Sequence, residues 1–343
     1  MKLIKRKESD RTEQEKVDKR REEVLATGRK FKYPLQWSRH RIVVNTILIA
    51  TVVVTLVVVG IWMALYRLNM TDEMLFRITR IVPVPVAQVD GENVLFSDYL
   101  MLYRSSITSI ERQSSNQFNE ETLDQLRTEY KESALLEAEK YTLAIKLAKE
   151  YGITVSDEEI KNEFERHMAI GGSQRSEESF LKIVGDNFGL NKSEYERMLY
   201  LSILKAKVEV EIDSKANEVA SKVESLLSGN NNDYKNVAEQ MGEAITYQET
   251  GGLVDNRNID GGRASEAAKL EPGQNSGKFV SMNGDGYYFV KLVSKTDAEV
   301  NFVSIKVPFN EFENVFSNLQ EEDKVKEYIS LSVPSGETAE PSD

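Results

Sequence analysis

Residues 42–66 read IVVNTILIATVVVTLVVVGIWMALY, and no charged side chain interrupts them. Arg39, His40 and Arg41 stand before this run and Arg67 after it. A helix needs roughly 20 apolar residues to cross the hydrocarbon core of a bilayer, so the run is long enough to span with a turn left over for tilt. The core helix of a soluble protein would carry a polar stripe, whereas Asn45, Thr46, Thr51 and Thr55 fall on no single helical face. A cleaved secretory signal is the competing reading. Against it, the preceding basic region is too long, the apolar run exceeds a signal's hydrophobic region, and no A-x-A site comes after it. The expectation is a transmembrane helix at 42–66 in contact with membrane lipid.

The span separates two parts of opposite charge. Residues 1–41 hold fourteen Lys and Arg against seven Asp and Glu, a balance of +7; the whole chain carries −12, which leaves −19 for residues 42–343. Positive residues beside a span stay on the cytoplasmic side. This implies a single-pass anchor, with the N-terminus cytoplasmic and residues 67–343 extracytoplasmic. The tail at 1–41 is mixed in charge and poor in apolar residues, so it cannot bury a core and is expected to be disordered or an exposed helix near anionic lipid. The acidic outer part argues against a nucleic-acid partner, which would need a basic patch. With no cysteine in the chain, disulfides, thiolate metal sites and a cysteine nucleophile are excluded.

Along the outer part, 67–85 reads as a stalk, with Pro83 and Pro85 favouring extended backbone. The segment VAQVDGENVLFSDYL (86–100) predicts a strand, a turn at Asp90-Gly91 and a helix capped by Ser97. Leu100, Tyr103, Ile107 and Ile110 recur at helical spacing in it. After a polar break (SSNQFNE, 114–120) comes the longest helical pattern, Glu120 to Tyr151, ended by Gly152 as a left-handed cap. Two capping boxes, Ser156 with Glu159 and Ser193 with Glu196, predict further helix starts. Lys207 to Ile212 alternates like a strand. From there the pattern is mixed α and β, with a hairpin around Asn283 to Gly286, a strand over Val300–Val307, and a helix over 311–331. Each of the strands at 86–89 and 300–307 lacks an evident hairpin mate, so the two are expected to pair with each other. A polar tail, 332–343, is expected to be disordered.

The segments VAQVDGENVLFSDYL, EAEKYTLAIKLAKEYGITVSDEEI (137–160) and SEYERMLYLSILKAKV (193–208) resemble the N-terminal chaperone domain of the SurA and PrsA group of extracytoplasmic foldases. In that family a small "NG" or "DG" turn opens the domain and a phrase of the form A…GI.VSDEEI joins its helices. Residues 208–297 resemble a parvulin-type peptidyl-prolyl isomerase domain, through two helices, Gly251-Gly252, AAKLEPG (267–273) and GYYFVK (286–291). The implied fold is α+β: a transmembrane helix, a mainly helical SurA-N-like domain (86–207), a small parvulin-like unit (208–297), and a C-terminal strand and helix (298–331).

Parvulin-type enzymes rotate a prolyl bond against a barrier of roughly 18–20 kcal/mol. The resemblance implies histidines on the first and last strands, a Cys or Asp between them, and a Met/Phe pocket. This chain has only His40 and His167. The first-strand position falls in KVEVEI (207–212) without histidine, Tyr288 stands where the family has G-Y-H, the pocket phenylalanine falls near Ala264, and Glu243 falls near the central carboxylate. The unit therefore reads as degenerate and non-catalytic.

No cofactor or metal site is expected. Asp157, Glu158 and Glu159 point in different directions at a helix N-terminus and favour its dipole. His167 stands alone. Gly171-Gly172 and Gly251-Gly252 lack the strand-to-helix context and lysine of a phosphate loop. The favoured function is an ATP-independent chaperone whose partners are unfolded or translocated polypeptides. Tyr99, Met101, Tyr103, Phe180 and Phe188 are its candidate client-facing residues; core packing is the competing reading for each and the stronger one for Tyr103. One alternative is a working isomerase using Glu243, Tyr287 or Tyr288. The other is a non-catalytic envelope adaptor with one stoichiometric partner.

Overall fold

The computed structural model of the chain describes residues 14–28, 34–114, 119–169, 175–229, 233–258 and 260–331. The tail expected at 332–343, the Gly171-Gly172 turn and residues 115–118 of the polar break lie outside the described residues. The chain is α+β and mostly helical, and it divides into two units, residues 1–68 and Asn69–Asp343.

In the first unit, helix α1 covers residues 14–28 and α2 covers Pro34–Tyr66. Within the Arg41–Tyr66 stretch of α2, a run of 18 residues has a mean hydropathy of 2.8 with none of it buried by protein, and the stretch is long and apolar enough to cross a membrane. Its threonines do not disturb this. The Thr46, Thr51 and Thr55 hydroxyls each donate to the carbonyl four residues back at 2.9 Å, so they need neither water nor a neighbouring helix.

The second unit starts with a helix where a stalk is expected: α3, Glu73–Ile81, which buries Leu75, Phe76 and Thr79. Two apolar residues and a threonine one turn on are enough to dock so short a helix, and the Arg104 guanidinium covers the Phe76 ring at 4.8 Å. Strands β1 (Pro85–Val89) and β2 (Glu92–Leu95) then form the predicted hairpin. Asp90 and Gly91 both have positive φ (45° and 89°), as a two-residue type I′ turn requires.

Helices α4 (Phe96–Ser114) and α5 (Glu120–Tyr151) come next. Asn119 caps α5 and Gly152 ends it at φ 69°. Ser97 lies inside α4, one residue past its start, rather than at its cap. Helix α6 (Asp157–Met168) has the predicted Ser156–Glu159 box. Helix α7 spans Glu177–Phe188. The box opening α8 (Lys192–Ile212) is Asn191 with Glu194, not Ser193 with Glu196. Residues 207–212, expected as a strand, complete α8. The buried row Leu201, Leu204, Val208 runs on at helical spacing, and Glu209 is held by Lys205 one turn back at 2.7 Å.

The remaining elements are α9 (Ser214–Gly229), α10 (Tyr234–Met241), a 3₁₀ turn at Gly242–Ala244, β3 (Thr246–Glu249), β4 (Val254–Asp255), α11 (Arg263–Ala268), β5 (Phe279–Val280), β6 (Gly286–Lys295), β7 (Glu299–Pro308), α12 (Glu311–Glu321) and β8 (Val325–Glu327). They build an antiparallel sheet of order β3-β7-β6-β5 with β4 also on β7. One face packs on α9 and α10 through Tyr287, Phe289, Ile305 and Val307; the other packs on α11 through Val290, Leu292 and Phe302.

The expected pairing of 300–307 with 86–89 does not occur. Strand β7 pairs along its length with β6, the strand just before it, from Gly286↔Pro308 to Lys295↔Val300. The connection, closed by Thr296 and Glu299, lacks an Asn-Gly or Asp-Gly signal. The partner of β1 is instead β8, through Ala87↔Glu327 and Val89↔Val325. The helix expected over 311–331 stops at Glu321, and Asp323 at φ 54° turns the chain into β8.

Candidate functional site

One face of α8 carries Ile203, Ala206, Lys207 and Val210, which recur at helical spacing and stay partly open to solvent. Across from them stand Val280, at the end of β5, and Met282 in the turn beyond it, 40% and 46% exposed. Ile153, just after the Gly152 cap, and Glu163 of α6 complete an open groove of about 490 Å³. Its floor is aliphatic, and Glu163, Lys207 and Glu211 stand among its lining residues. Met282 also lines a neighbouring hollow of about 250 Å³ with Arg166, Gly261, Gly262 and Asn283.

The groove depends on how closely the 281–284 turn approaches α8. A Cβ on Gly284, whose φ is 72°, would lie 2.9 Å from the Ala206 Cβ, so only glycine fits this approach. The turn is fixed by Met282 N–H donating to the Gly261 carbonyl at 3.0 Å and Ser281 N–H to that of Gly286 at 2.9 Å. An Arg166 N–H meets the Met282 sulfur at 3.3 Å.

Two of the groove's charged residues, Lys207 and Glu163, are tied down. Lys207 bonds Glu159 and donates to the Thr154 carbonyl at 2.8 Å. That lysine, with the Ser156 amide, holds the Glu159 carboxyl down at about 2. Burial opposes ionisation of Glu163, but hydrogen bonds from His167 and Arg166 outweigh it and hold the group at about 2. His167, which has no evident role in the sequence, links Glu163 (3.1 Å) to the Tyr195 hydroxyl (2.6 Å). Tyr195 in turn packs edge-on against Phe164 and Phe180. The network ties α6 to α8 beside the groove.

The candidate client-facing residues lie elsewhere. Tyr99, Met101 and Tyr103 on α4 are buried, because α3, α5 and α7 all pack on that helix. Phe180 is buried against Phe164 and Tyr195. These four are core side chains in this structure. Phe188, at the end of α7, is 38% exposed.

At the positions where the resemblance to parvulins implies a site, Tyr287 and Tyr288 fall on opposite faces of the sheet. Tyr287 enters the α9–α10 core and meets Phe309 at 4.9 Å. Tyr288 is buried beneath the Arg263 guanidinium (5.3 Å) and stacks on Phe279. Its hydroxyl donates to Asp285 at 3.3 Å, and Lys306 pairs with the same carboxylate. Burial, with that carboxylate nearby, pushes the Tyr288 hydroxyl up to about 12. Glu243 is exposed on the 3₁₀ turn, and among the described residues no hydrogen bond or ion pair joins it to Tyr288. The position expected on a first strand at 207–212 is helical, so that assignment fails. Among the described residues no cluster of three or more His, Cys, Asp or Glu could hold a metal ion.

A family model described as a SurA-like N-terminal domain matches residues 35–209, about half of the 343-residue chain. The match takes in the apolar helix, both strands of the first hairpin, α3–α7 and nearly all of α8. No curated protein and no solved structure matches the chain.

Proposed function

We propose that this chain, which belongs to the family defined by a SurA-like N-terminal domain, is a membrane-anchored chaperone that holds unfolded or translocating polypeptides without ATP and without isomerase chemistry. The observation that carries the reading is the open groove floored by Ile153, Ile203, Ala206, Val210, Val280 and Met282. Each apolar side chain of a client that leaves water there gains roughly 25 cal/mol per Å² buried. Methionine adapts its shape to different clients, which suits a holder of many sequences. Binding of this kind is weak and reversible, so release needs no nucleotide. The −19 charge of residues 42–343 favours basic clients and keeps the loaded chaperone soluble.

The charge asymmetry around α2 supports an anchor with its N-terminus in the cytoplasm and Asn69–Asp343 outside. The parvulin-like unit serves as a wall of the groove. A prolyl ring would need an open site beside Tyr288, yet that side chain is enclosed by Arg263, Phe279 and the Asp285–Lys306 pair.

The test uses the full chain in nanodiscs, with suppression of aggregation of an unfolded protein and isomerisation of a prolyl peptide measured side by side. Aggregation suppression is expected without isomerisation. Met282→Asp, at an exposed position, should weaken client binding about tenfold, or ~1.4 kcal/mol. Isomerisation that Tyr288→Phe abolishes would overturn the reading in favour of an enzyme. Binding to one stoichiometric partner, with no affinity for unfolded chains, would overturn it in favour of an adaptor.

A further inference from the structure

Helix α3 has two apolar faces where a surface helix has one. Leu75, Phe76 and Thr79 turn inward and are buried. Met74, Ile78 and Ile81 recur at i, i+4 and i+7 on the opposite side, and Met74 and Ile81 are 73% and 83% exposed. A shallow hollow of about 400 Å³ runs along this outer face, lined by these three with Glu73 and Arg77. Leu68, Met70 and Val82, on either side of the helix, are exposed as well. Large apolar side chains this concentrated on a surface mark a contact.

The covalent chain indicates what covers them. Only residues 67–72 separate α3 from Tyr66, the last residue of the apolar helix α2. At 3.3–3.6 Å per residue, the start of α3 lies within ~25 Å of that helix end. Trp62 and Tyr66, in the last turn and a half of α2, are the residue types that settle at the headgroup level. Arg67 adds positive charge where lipid phosphates would be, while Arg77 is paired with Glu73 on the same helix.

We propose that the outer face of α3 rests in the headgroup layer of the bilayer that α2 crosses, with Met74, Ile78 and Ile81 as its lipid contacts. The inference rests on the reading of α2 as a membrane span. It gives the second unit a second attachment to the membrane, so that this unit is held at the surface by α3 as well as tethered by α2.

The chain has no cysteine, so single cysteines can carry an environment-sensitive fluorophore in the full chain. Met74→Cys and Ile81→Cys would be reconstituted in phosphatidylcholine/phosphatidylglycerol vesicles containing nitroxide lipids. Val57→Cys, inside α2, reports on the span. Tyr151→Cys is the distant control: Lys131 on α5 donates to the Asn69 carbonyl at 3.0 Å, and Tyr151 lies ~30 Å further along that helix.

Quenching by shallow nitroxides at Met74→Cys and Ile81→Cys is expected on the order of fivefold above Tyr151→Cys, as for side chains sunk into the headgroup boundary. A reporter at Val82→Cys should lose its quenching when Met74→Asp and Ile81→Asp are added. If Val57→Cys is quenched by deep nitroxides while positions 74 and 81 match Tyr151→Cys, the inference fails and the span stands. An unquenched Val57→Cys overturns the span reading, and the inference with it. Copy-to-copy disulfides at Met74→Cys without lipid quenching would overturn it in favour of an interface between two chains.

Discussion

Glu139 lies in the middle of α5 with 2% of its surface exposed, and its Oε1 has no donor. Burial, with the Glu327 carboxylate of β8 nearby, pushes its pKa up to about 8. Glu327 is itself raised, by burial and by Glu132. The folded chain therefore holds the Glu139 proton more tightly than the unfolded chain does. Its effect on stability is most favourable below the unfolded value and is lost as pH rises through about 8, by an amount on the order of a few kcal/mol. Glu139→Gln is expected to raise the melting temperature at pH 8 and leave it nearly unchanged at pH 5. Equal shifts at the two pH values in thermal unfolding would contradict this assignment. Single residues are legible where the signal is local. Gly152 and the Ser156–Glu159 box are of that kind. The second box lies two residues from its expected place because Asn191 and Ser193 each precede a glutamate at the required spacing, and only the backbone shows which lies outside the helix. The aromatic residues of α4 stand out by type, but a sequence does not show that other helices cover both sides of that helix.

At the scale of elements, long helices with an apolar stripe are readable and short strands are not. Three residues of β8, Val325–Glu327, carry no strand pattern, and their partner β1 lies more than two hundred residues away. The cross-chain bonds are specific: Tyr328 N–H donates to the Val86 carbonyl and Asp90 N–H to that of Lys324, both at 2.9 Å. Tyr328→Pro removes the first donor while leaving the extended backbone before it permitted. A loss of about 1–3 kcal/mol is expected, with faster hydrogen exchange across residues 85–95. Unchanged exchange there would show that β8 does not hold the hairpin. Strand β7 teaches the same lesson in reverse. Its partner is the nearest strand in sequence, hidden because the connecting turn lacks the usual residues.

On the scale of the whole molecule, the division into a basic tail, an apolar helix and an acidic outer part can be read from charge and hydropathy alone. The groove cannot, since its two walls come from residues about eighty positions apart. They are brought together by Gly284 against Ala206 and by Asp213. The Asp213 carboxylate accepts from Ala216 N–H (2.8 Å) at the start of α9, and from Asn310 N–H (2.7 Å) and Glu311 N–H (3.0 Å) at the start of α12. One buried side chain thus fixes the end of α8, which carries the groove's floor, to both α9 and α12. The central claim is that unfolded polypeptide occupies this groove. The most direct test places a photo-crosslinking residue at Met282, at Ile203 or at Val293 of the full chain, the last being an exposed apolar position outside the groove, and adds an unfolded protein. The account predicts adducts at 282 and 203 and few at 293; equal adducts at all three positions, or none at 282 and 203, would contradict it.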